Sequence, residues 1–242
     1  MIIVTLTSWT KRIYNVKVVV ESIMNNTVQP DKVYLNLSQT EFEGIELPKD
    51  LVEYFNSDPR LIINWIPGPN TKVMKKVFPI LKYLQDDDII IDADDDILFP
   101  KDLIESRLKD FENAGKKYCI SSNDHLTVGF NGQMKVVSAM SLFQKKMLKN
   151  WDKFVTQKIL DTNNDDRTYL HLIWLNGYKN KGCTKWTIQE LLKDYDMKIG
   201  NKLTSFASFT GGKIYDKVTE REFYNKIGKQ IVKSFGLWRT KE

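Results

Sequence analysis

The sequence has few cysteines, few histidines and no long hydrophobic run. Cys119 and Cys183 are the only cysteines in 242 residues, which is too few for a disulfide framework and favours a reducing compartment. No apolar run reaches the ~18 residues that a membrane-spanning helix requires. The N-terminal MIIVTLTSW lacks the charged start and the cleavage site of a signal peptide. We therefore expect a cytoplasmic protein.

The chain is mildly basic, and its charge is unevenly distributed. Lys and Arg number 36 against 31 Asp and Glu, which gives a net charge of +5. A dedicated nucleic-acid binder usually shows a denser basic stripe, so we expect no nucleic-acid partner. A hydrophobic content of 42% excludes a disordered chain. The acids are concentrated, because residues 86–96 contain seven Asp and no Lys or Arg.

Hydrophobic periodicity predicts alternating strands and helices over the first half of the chain. Short apolar runs predict buried strands at residues 2–6, 33–37, 61–65, 89–91 and 118–121. Helical spacing or a proline start predicts helices at residues 16–23, 48–55 and 73–84 and from Pro100 onwards. This alternation is typical of a single α/β domain with a Rossmann-type, mostly parallel sheet flanked by helices.

The second half of the chain is less regular. Residues 128–160 show no clear pattern. Residues 169–175 are apolar nearly all round and predict a buried helix that ends at Asn176-Gly177. His171 lies inside this helix and is expected to be a core residue.

The concentrated acids lie in two groups, one at each end of the predicted fourth strand. Asp86–Asp88 precede the strand and are interpreted as a solvated turn. Asp92 and Asp94–Asp96 follow it, at the carboxyl end, where ligands of open α/β sheets bind. A turn that caps the next helix would need only one Asp, whereas four carboxylates this close repel one another unless a cation binds. We therefore expect a Mg²⁺ or Mn²⁺ site.

Several segments resemble those of a known enzyme family. The stretch IIIDADDDILFP resembles the D-x-D segment of GT-A-fold glycosyltransferases. VTLTSWTKRIYNV, with ESIMNNTVQPDKVYLNLS, is similar to the nucleotide-binding opening of a bacterial set that builds surface polysaccharide or lipooligosaccharide. GPNTKVMKKVFPILK resembles the segment that precedes the D-x-D strand in that set, and Asp165-Asp166 followed by ten residues and Gly177 resembles a later one.

The resemblance implies a GT-A-like fold and a metal-dependent, inverting transfer of a sugar. The donor would be a nucleotide diphosphate sugar, with a UDP-sugar favoured, and the acceptor a cell-surface glycan or a lipid-linked molecule. Mn²⁺ or Mg²⁺ would neutralise the leaving diphosphate. The D-x-D register is open, since both Asp92/Asp94 and Asp94/Asp96 fit. Counting back from Pro100 favours Asp94 and Asp96 as metal ligands, with Asp95 beside them and Asp92 as a further candidate. The resemblance also implies that Asp94 and Asp95 contact the donor.

Other donor-site candidates follow the first strand or precede the fourth. The polar residues at the carboxyl end of the first strand are candidates for the nucleotide, or else an ordinary polar loop: Thr5, Thr7, Ser8 and Arg12. Lys72 is a candidate for the diphosphate or part of a solvated helix face. Lys75 and Lys76 are expected to lie on that solvated face.

Acceptor-side candidates come from the second half. Asp166, with Asp165 beside it, is predicted from the resemblance to be the base that deprotonates the acceptor hydroxyl. The alternative is that these residues cap a helix and complement its dipole. Asp124 and His125 follow the fifth strand and are weaker candidates for acceptor contacts.

The predicted organisation is a donor half at residues 1–100, an acceptor half at 101–204 and a basic tail at 205–242. Residues 226–241 combine five basic residues with apolar ones and could lie on the inner face of a membrane or pack as a C-terminal helix on their own core. Two other functions stay open. One is a Mg²⁺-dependent phosphoryl or nucleotidyl transferase, and the other is a noncatalytic module that binds glycans or nucleic acid.

Overall fold

The strands alternate with helices from the first strand to the fifth. The computed structural model describes residues 1–122, 126–129, 132–135, 140–160, 165–187 and 190–191. Its strands are β1 (Ile2–Thr7), β2 (Lys32–Ser38), β3 (Leu61–Ile66), β4 (Ile89–Ala93), β5 (Tyr118–Ser121), β6 (Leu126–Gly129), β7 (Gly132–Lys135), β8 (Leu142–Gln144) and β9 (Lys179–Gly182). Its α-helices are α1 (Val16–Met24), α2 (Lys49–Ser57), α3 (Leu103–Asn113), α4 (Trp151–Phe154), α5 (Gln157–Leu160) and α6 (Asp165–Leu175).

A seven-stranded sheet in the order β3-β2-β1-β4-β8-β5-β9 forms the centre of the described structure. The pairs β1–β2, β1–β4, β2–β3 and β5–β9 are parallel, and only β8 runs antiparallel to its neighbours. Strand β1 is fully buried over Ile3–Leu6, as expected for a parallel sheet covered on both faces. The five strands predicted from apolar runs are confirmed.

The order of the strands creates a switch point between β1 and β4. The chain runs from β1 outwards to β2 and β3 on one side, and then returns to place β4 on the other side of β1. In open α/β sheets, ligands bind beyond the carboxyl ends of the strands at such a point. The residues that follow β1 and β4 therefore occupy the expected position of a binding site.

The predicted long helix over residues 73–84 is wrong. The structure has two 3₁₀ helices there, Lys72–Lys76 and Phe78–Tyr83. Pro79 supplies the reason, since it has no N–H to donate and disfavours an α-helix through its position. Val77, Ile80 and Leu81 are still buried, so the apolar pattern predicted burial correctly but not the type of helix.

Three further differences concern a helix start, an additional strand and a turn. The helix expected from Pro100 begins at Leu103, whose N–H donates to the Pro100 carbonyl. Strand β8 lies in the stretch without a clear pattern, and its three residues are too few to produce one. The solvated turn is wrong for Asp88, which is buried and accepts a hydrogen bond from the Met1 amino group at 2.8 Å.

Helix α6 has the predicted end and starts earlier than its apolar stretch. Gly177 has φ +83, a conformation that favours glycine, and its N–H donates to the Trp174 carbonyl. Tyr169, Leu170, Leu172 and Ile173 are buried. His171 is only half-buried, so its expected place in the core is wrong. Among the described residues, none of the helices has the length and apolarity needed to cross a bilayer.

Candidate active site

The acidic segment after β4 lies beside the segment that follows β1. The two strands are paired in register, with Thr5 opposite Asp92 and Leu6 opposite Ala93. The chain that leaves β1 through Ser8 therefore runs next to the chain that leaves β4 through Asp94. This brings together the two sets of residues predicted to meet at the switch point.

Arg12 neutralises the second half of the acidic segment. Its Nη1 atom lies 2.5 Å from Asp95 Oδ1 and 3.0 Å from Asp96 Oδ2, and all three side chains are buried. Ser8 Oγ donates to the other Asp95 oxygen at 2.7 Å. Burial raises the pKa of Asp95, while Arg12 and Ser8 oppose that rise. We call these four residues the arginine cluster.

Lys76 lies among the carboxylates of the first half. Its Nζ atom is 2.8 Å from Asp94 Oδ1, 3.1 Å from Asp165 Oδ2 and 4.0 Å from Asp92 Oδ2. Burial opposes the charged form of Lys76, but Asp165, Asp94 and Asp92 raise its pKa well above the usual value for lysine. We call these four residues the lysine cluster. It joins the loop after β4 to the start of α6.

The expected solvated position of Lys75 and Lys76 is wrong. The Lys76 side chain is only 5% exposed, and Lys75 is buried with its Nζ atom 3.2 Å from Glu41 Oε2. Both lysines were expected on a solvated helix face, where lysine is common, but the structure has two short 3₁₀ helices in place of that helix. The acidic segment itself was the available signal, because buried carboxylates require a cation nearby.

Two polar side chains hold the backbone of Lys76. The Thr5 hydroxyl and the Asn36 Nδ2 group both donate to the Lys76 carbonyl, and Asn36 in turn accepts a hydrogen bond from Asn64. Thr5 is fully buried, so the structure gives it a supporting position beneath Lys76 instead of one that faces a ligand. Asn36 was not predicted. Its signal was a lone amide within the apolar strand KVYLNLS.

Asp92 is held from the opposite side by the segment that precedes β8. The Ser141 N–H donates to Asp92 Oδ1 at 2.8 Å, and the Met140 N–H donates to the Asp92 carbonyl. Met140 has φ +60, an uncommon conformation for a residue with a side chain, and its own carbonyl accepts a hydrogen bond from buried Arg107. Burial raises the pKa of Asp92 to about 7, although Lys76 lowers it.

In the part of the chain that the structure describes, buried polar atoms in and beside the lysine cluster lack a hydrogen bond. Within the described chain, Asp92 Oδ2 and the Tyr169 hydroxyl are buried and have no hydrogen-bond partner. The Tyr169 ring is fixed between Phe78 and Phe143, with ring centroids 5.5 and 5.9 Å away. Buried polar atoms are nearly always paired in proteins, so these two mark a place where a ligand or an ion fits.

The predicted base and its neighbour lie in the first turn of α6. Asp165 is buried beside Lys76, whereas Asp166 is half-buried. Burial of the carboxyl group and the charge of Asp165 raise the pKa of Asp166 well above its ordinary value. Both residues are within the helix and do not precede it, which favours the dipole interpretation over the capping one.

The structure describes two of the remaining candidates, Thr7 and Lys72. The Thr7 hydroxyl donates to the Asn36 carbonyl at 2.8 Å. Lys72 is half-buried and has φ +52, a strained conformation of the kind that collects at functional sites. Asp124 and His125 lie outside the described residues, and so does the tail from residue 192 onwards.

The charge of the site suits a divalent cation, but its geometry does not yet form a ligand set. Among the described residues, five carboxylates lie within 4.0 Å of two cations, Arg12 and Lys76. Carboxylate oxygens are the ligands that Mg²⁺ and Mn²⁺ prefer. In the ranges that the structure covers, however, no three His, Cys, Asp or Glu side chains are arranged to hold a metal ion. The residues fit the ion chemically, while Lys76 takes the central position.

Comparison with known proteins identifies solved structures of similar fold. No protein-family model matches the chain, and no curated protein matches it. A structure of TarS from S. aureus, residues 1–349 in complex with UDP, has a TM-score of 0.51 at 11% identity and covers 79% of this chain and 63% of its own. Another TarS structure has a TM-score of 0.50 at 12% identity, and covers 75% of this chain but only 34% of its own.

A nucleotidyltransferase is equally similar. The 2-C-methyl-D-erythritol 4-phosphate cytidylyltransferase of Francisella tularensis has a TM-score of 0.50 at 13% identity and covers 86% of this chain and 98% of its own. At these identities the likeness shows the fold alone. It confirms the predicted fold class, a Rossmann-type, GT-A-like α/β domain with a mostly parallel sheet.

Proposed function

We propose that this chain is a metal-dependent glycosyltransferase that moves a sugar, with inversion, from a nucleotide diphosphate donor to a cell-surface glycan or lipid-linked acceptor. The observation that carries the proposal is the convergence of Asp92, Asp94 and Asp165 on one point at the switch between β1 and β4. It joins the expected donor edge of the sheet to the helix that carries the candidate base.

Donor binding is assigned to the residues that surround this point. Asp94 is the most open of the acidic segment, with a side chain 35% exposed, and it would hold Mn²⁺ or Mg²⁺ together with Asp92 and Asp96. The bound ion supplies neutralisation of the leaving diphosphate. Thr7, Ser8 and Lys72 are proposed to contact the donor, and the strained backbone at Lys72 supports that role. Asp95 and Arg12 are left out of the proposed donor contacts. Ser8 and Arg12 occupy both oxygens of Asp95, and Arg12 is paired with Asp95 and Asp96.

Asp166 is the proposed base that takes the proton from the acceptor hydroxyl. The charge of Asp165 is committed to Lys76, whereas Asp166 is half-buried and its pKa is raised by burial and by Asp165. A raised pKa makes a carboxylate a better proton acceptor near neutral pH. Lys76 therefore positions Asp165, and the charge of Asp165 raises the pKa of Asp166.

The base assignment has a direct test. We expect Asp166→Asn to lower transfer by about 10²- to 10⁴-fold, the usual contribution of a general base, and to leave donor affinity unchanged. Donor affinity is measured by calorimetry and transfer by product formation. An active Asp166→Asn variant would remove Asp166 from the mechanism.

A UDP-sugar is the favoured donor. The fold is shared with TarS, which has been solved with UDP and with UDP-GlcNAc. Thermal-shift measurements against nucleoside diphosphates, nucleotide sugars and nucleoside triphosphates, each with and without Mn²⁺, test this. We expect metal-dependent stabilisation by one diphosphate and its sugar conjugates. Stabilisation by a triphosphate alone would favour nucleotidyl transfer, and no response to any nucleotide would favour a noncatalytic binding module.

The acceptor side includes a proposed membrane contact. Residues 226–241, outside the described structure, combine basic and apolar residues, which suits the surface of an anionic membrane. Sedimentation with anionic liposomes, with and without residues 226–242, measures the contact. Equal sedimentation of both forms would leave the tail without this role.

A further inference from the structure

Lys76 is held in place at both ends. Its carbonyl accepts hydrogen bonds from Thr5 and Asn36, and its ammonium group lies 2.8 Å from Asp94 and 3.1 Å from Asp165. A buried lysine is costly unless it is paired, so its position is enforced by the surrounding polar groups.

One ammonium group cannot satisfy the carboxylates around it. Lys76 carries one positive charge and faces three carboxylates, and Asp92 Oδ2 is left at 4.0 Å. This oxygen is buried and lacks a hydrogen-bond partner among the residues described, as does the nearby Tyr169 hydroxyl. The cluster therefore keeps both negative charge and acceptor oxygens that a second cation could use.

We propose that the Lys76 ammonium is an internal counter-ion that competes with the divalent ion for Asp94. In the metal-free protein it holds the loop after β4 and α6 together, and it must move away from Asp94 when the ion binds. The inference rests on the proposed function, because it takes the ion from there. It adds that the protein itself resists binding of the metal until a diphosphate contributes further oxygen ligands.

The opposite role would produce the opposite effect. If Lys76 helped to build the metal site, or replaced the metal entirely, removing it would weaken metal binding or leave it unchanged. If Lys76 competes with the ion, removing it exposes Asp94, Asp92 and Asp165 to Mn²⁺ and strengthens binding. Whether Mn²⁺ affinity rises or falls on removal of Lys76 therefore distinguishes these two roles.

The test is Mn²⁺ binding to the full chain without nucleotide, measured by electron paramagnetic resonance of free Mn²⁺. We expect Lys76→Met to bind Mn²⁺ at least about tenfold more tightly than the wild type, as removal of a competing buried cation should produce. Lys75→Met is the matched control, because Lys75 is equally buried but pairs with Glu41. Its Mn²⁺ affinity should equal that of the wild type. Unchanged or weaker binding in Lys76→Met overturns the proposal.

A second measurement uses the wild type, in case Lys76→Met does not fold. Lysine acetylation by a small anhydride, read by mass spectrometry, reports the accessibility of each amine. We expect Mn²⁺ to raise the labelling of Lys76 and to leave that of Lys75 unchanged. Continued protection of Lys76 at the highest Mn²⁺ concentration that keeps the protein in solution contradicts the competition.

The failure of this inference can be told from that of the proposed function. Metal-dependent stabilisation by UDP, with no gain in Mn²⁺ affinity in Lys76→Met, retains the function and removes the competition. Tighter Mn²⁺ binding in Lys76→Met, with no effect of any nucleotide on the wild type, retains the competition and removes the function.

Discussion

The arginine cluster and the lysine cluster use the same acidic segment in different ways. Arg12 meets Asp95 and Asp96 through one nitrogen, and Ser8 completes the pairing of Asp95. Lys76 meets three carboxylates as a single point charge and leaves Asp92 Oδ2 without a hydrogen bond. A guanidinium group offers several donors in a fixed plane, whereas an ammonium group offers one centre of charge. We infer from the comparison that Arg12 and Asp95 serve stability, whereas the lysine cluster serves binding.

The largest expected effect contrasts Asp94 with Asp95. We expect Asp94→Asn to lower transfer by about 10³-fold, because it removes charge that holds the metal, and to leave the melting temperature nearly unchanged. Asp95→Asn should do the reverse, with a lower melting temperature and activity within about tenfold of the wild type. Product formation and thermal melting measure the two effects. An inactive but fully stable Asp95→Asn protein would break the division between the clusters.

The second-largest expected effect concerns the arginine cluster. Arg12→Met leaves two buried carboxylates without their cation, and we expect a loss of about 3–5 kcal/mol in the free energy of unfolding. Arg12→Lys keeps the charge and should lose less. Denaturant titration gives both values. A loss below about 1 kcal/mol in Arg12→Met would mean that the pairing contributes little to stability.

The lysine cluster should respond to pH through Asp92. Its pKa in the folded state is about 7, above the ordinary value of an unfolded Asp. A raised folded-state pKa contributes stability that is present at low pH and is lost as the pH rises from about 4 through about 7. We expect Asp92→Asn, which cannot ionise, to show a smaller loss of melting temperature than the wild type between pH 5 and pH 8. The same slope in both proteins would contradict the assignment.

The smallest expected effect concerns the support of Lys76. Thr5→Val removes one of the two hydrogen bonds to the Lys76 carbonyl, at an expected cost of about 1 kcal/mol in the free energy of unfolding. Donor binding should persist, because Thr5 is fully buried. Loss of nucleotide binding in a stable Thr5→Val protein would return Thr5 to the donor site.

The sequence predicted much of the fold over residues 1–100, because its signals there are local. The five predicted apolar runs are strands in the structure, and the acids after the fourth strand lie at the switch point between β1 and β4. The predicted helix over residues 73–84 was wrong because two short 3₁₀ helices, one of which contains Pro79, give the same spacing of apolar residues. Lys76 was assigned to the wrong face for the same reason.

The pairings within the site could not be predicted from the sequence. Arg12 and Asp95 are 83 residues apart, and Lys76 and Asp165 are 89 apart. Whether these residues meet in space depends on the order of the strands and on where α6 begins. Asp124, His125 and the basic tail lie outside the described residues, so their roles stay predictions.

Calorimetric titration of the full chain with UDP, with Mn²⁺ and then with a chelator in its place, tests the central claim most directly. The account predicts that UDP binds in the presence of Mn²⁺, that the chelator abolishes binding, and that Asp94→Asn behaves as the wild type does without metal. UDP binding of equal strength in all three conditions, or no binding in any, would contradict it.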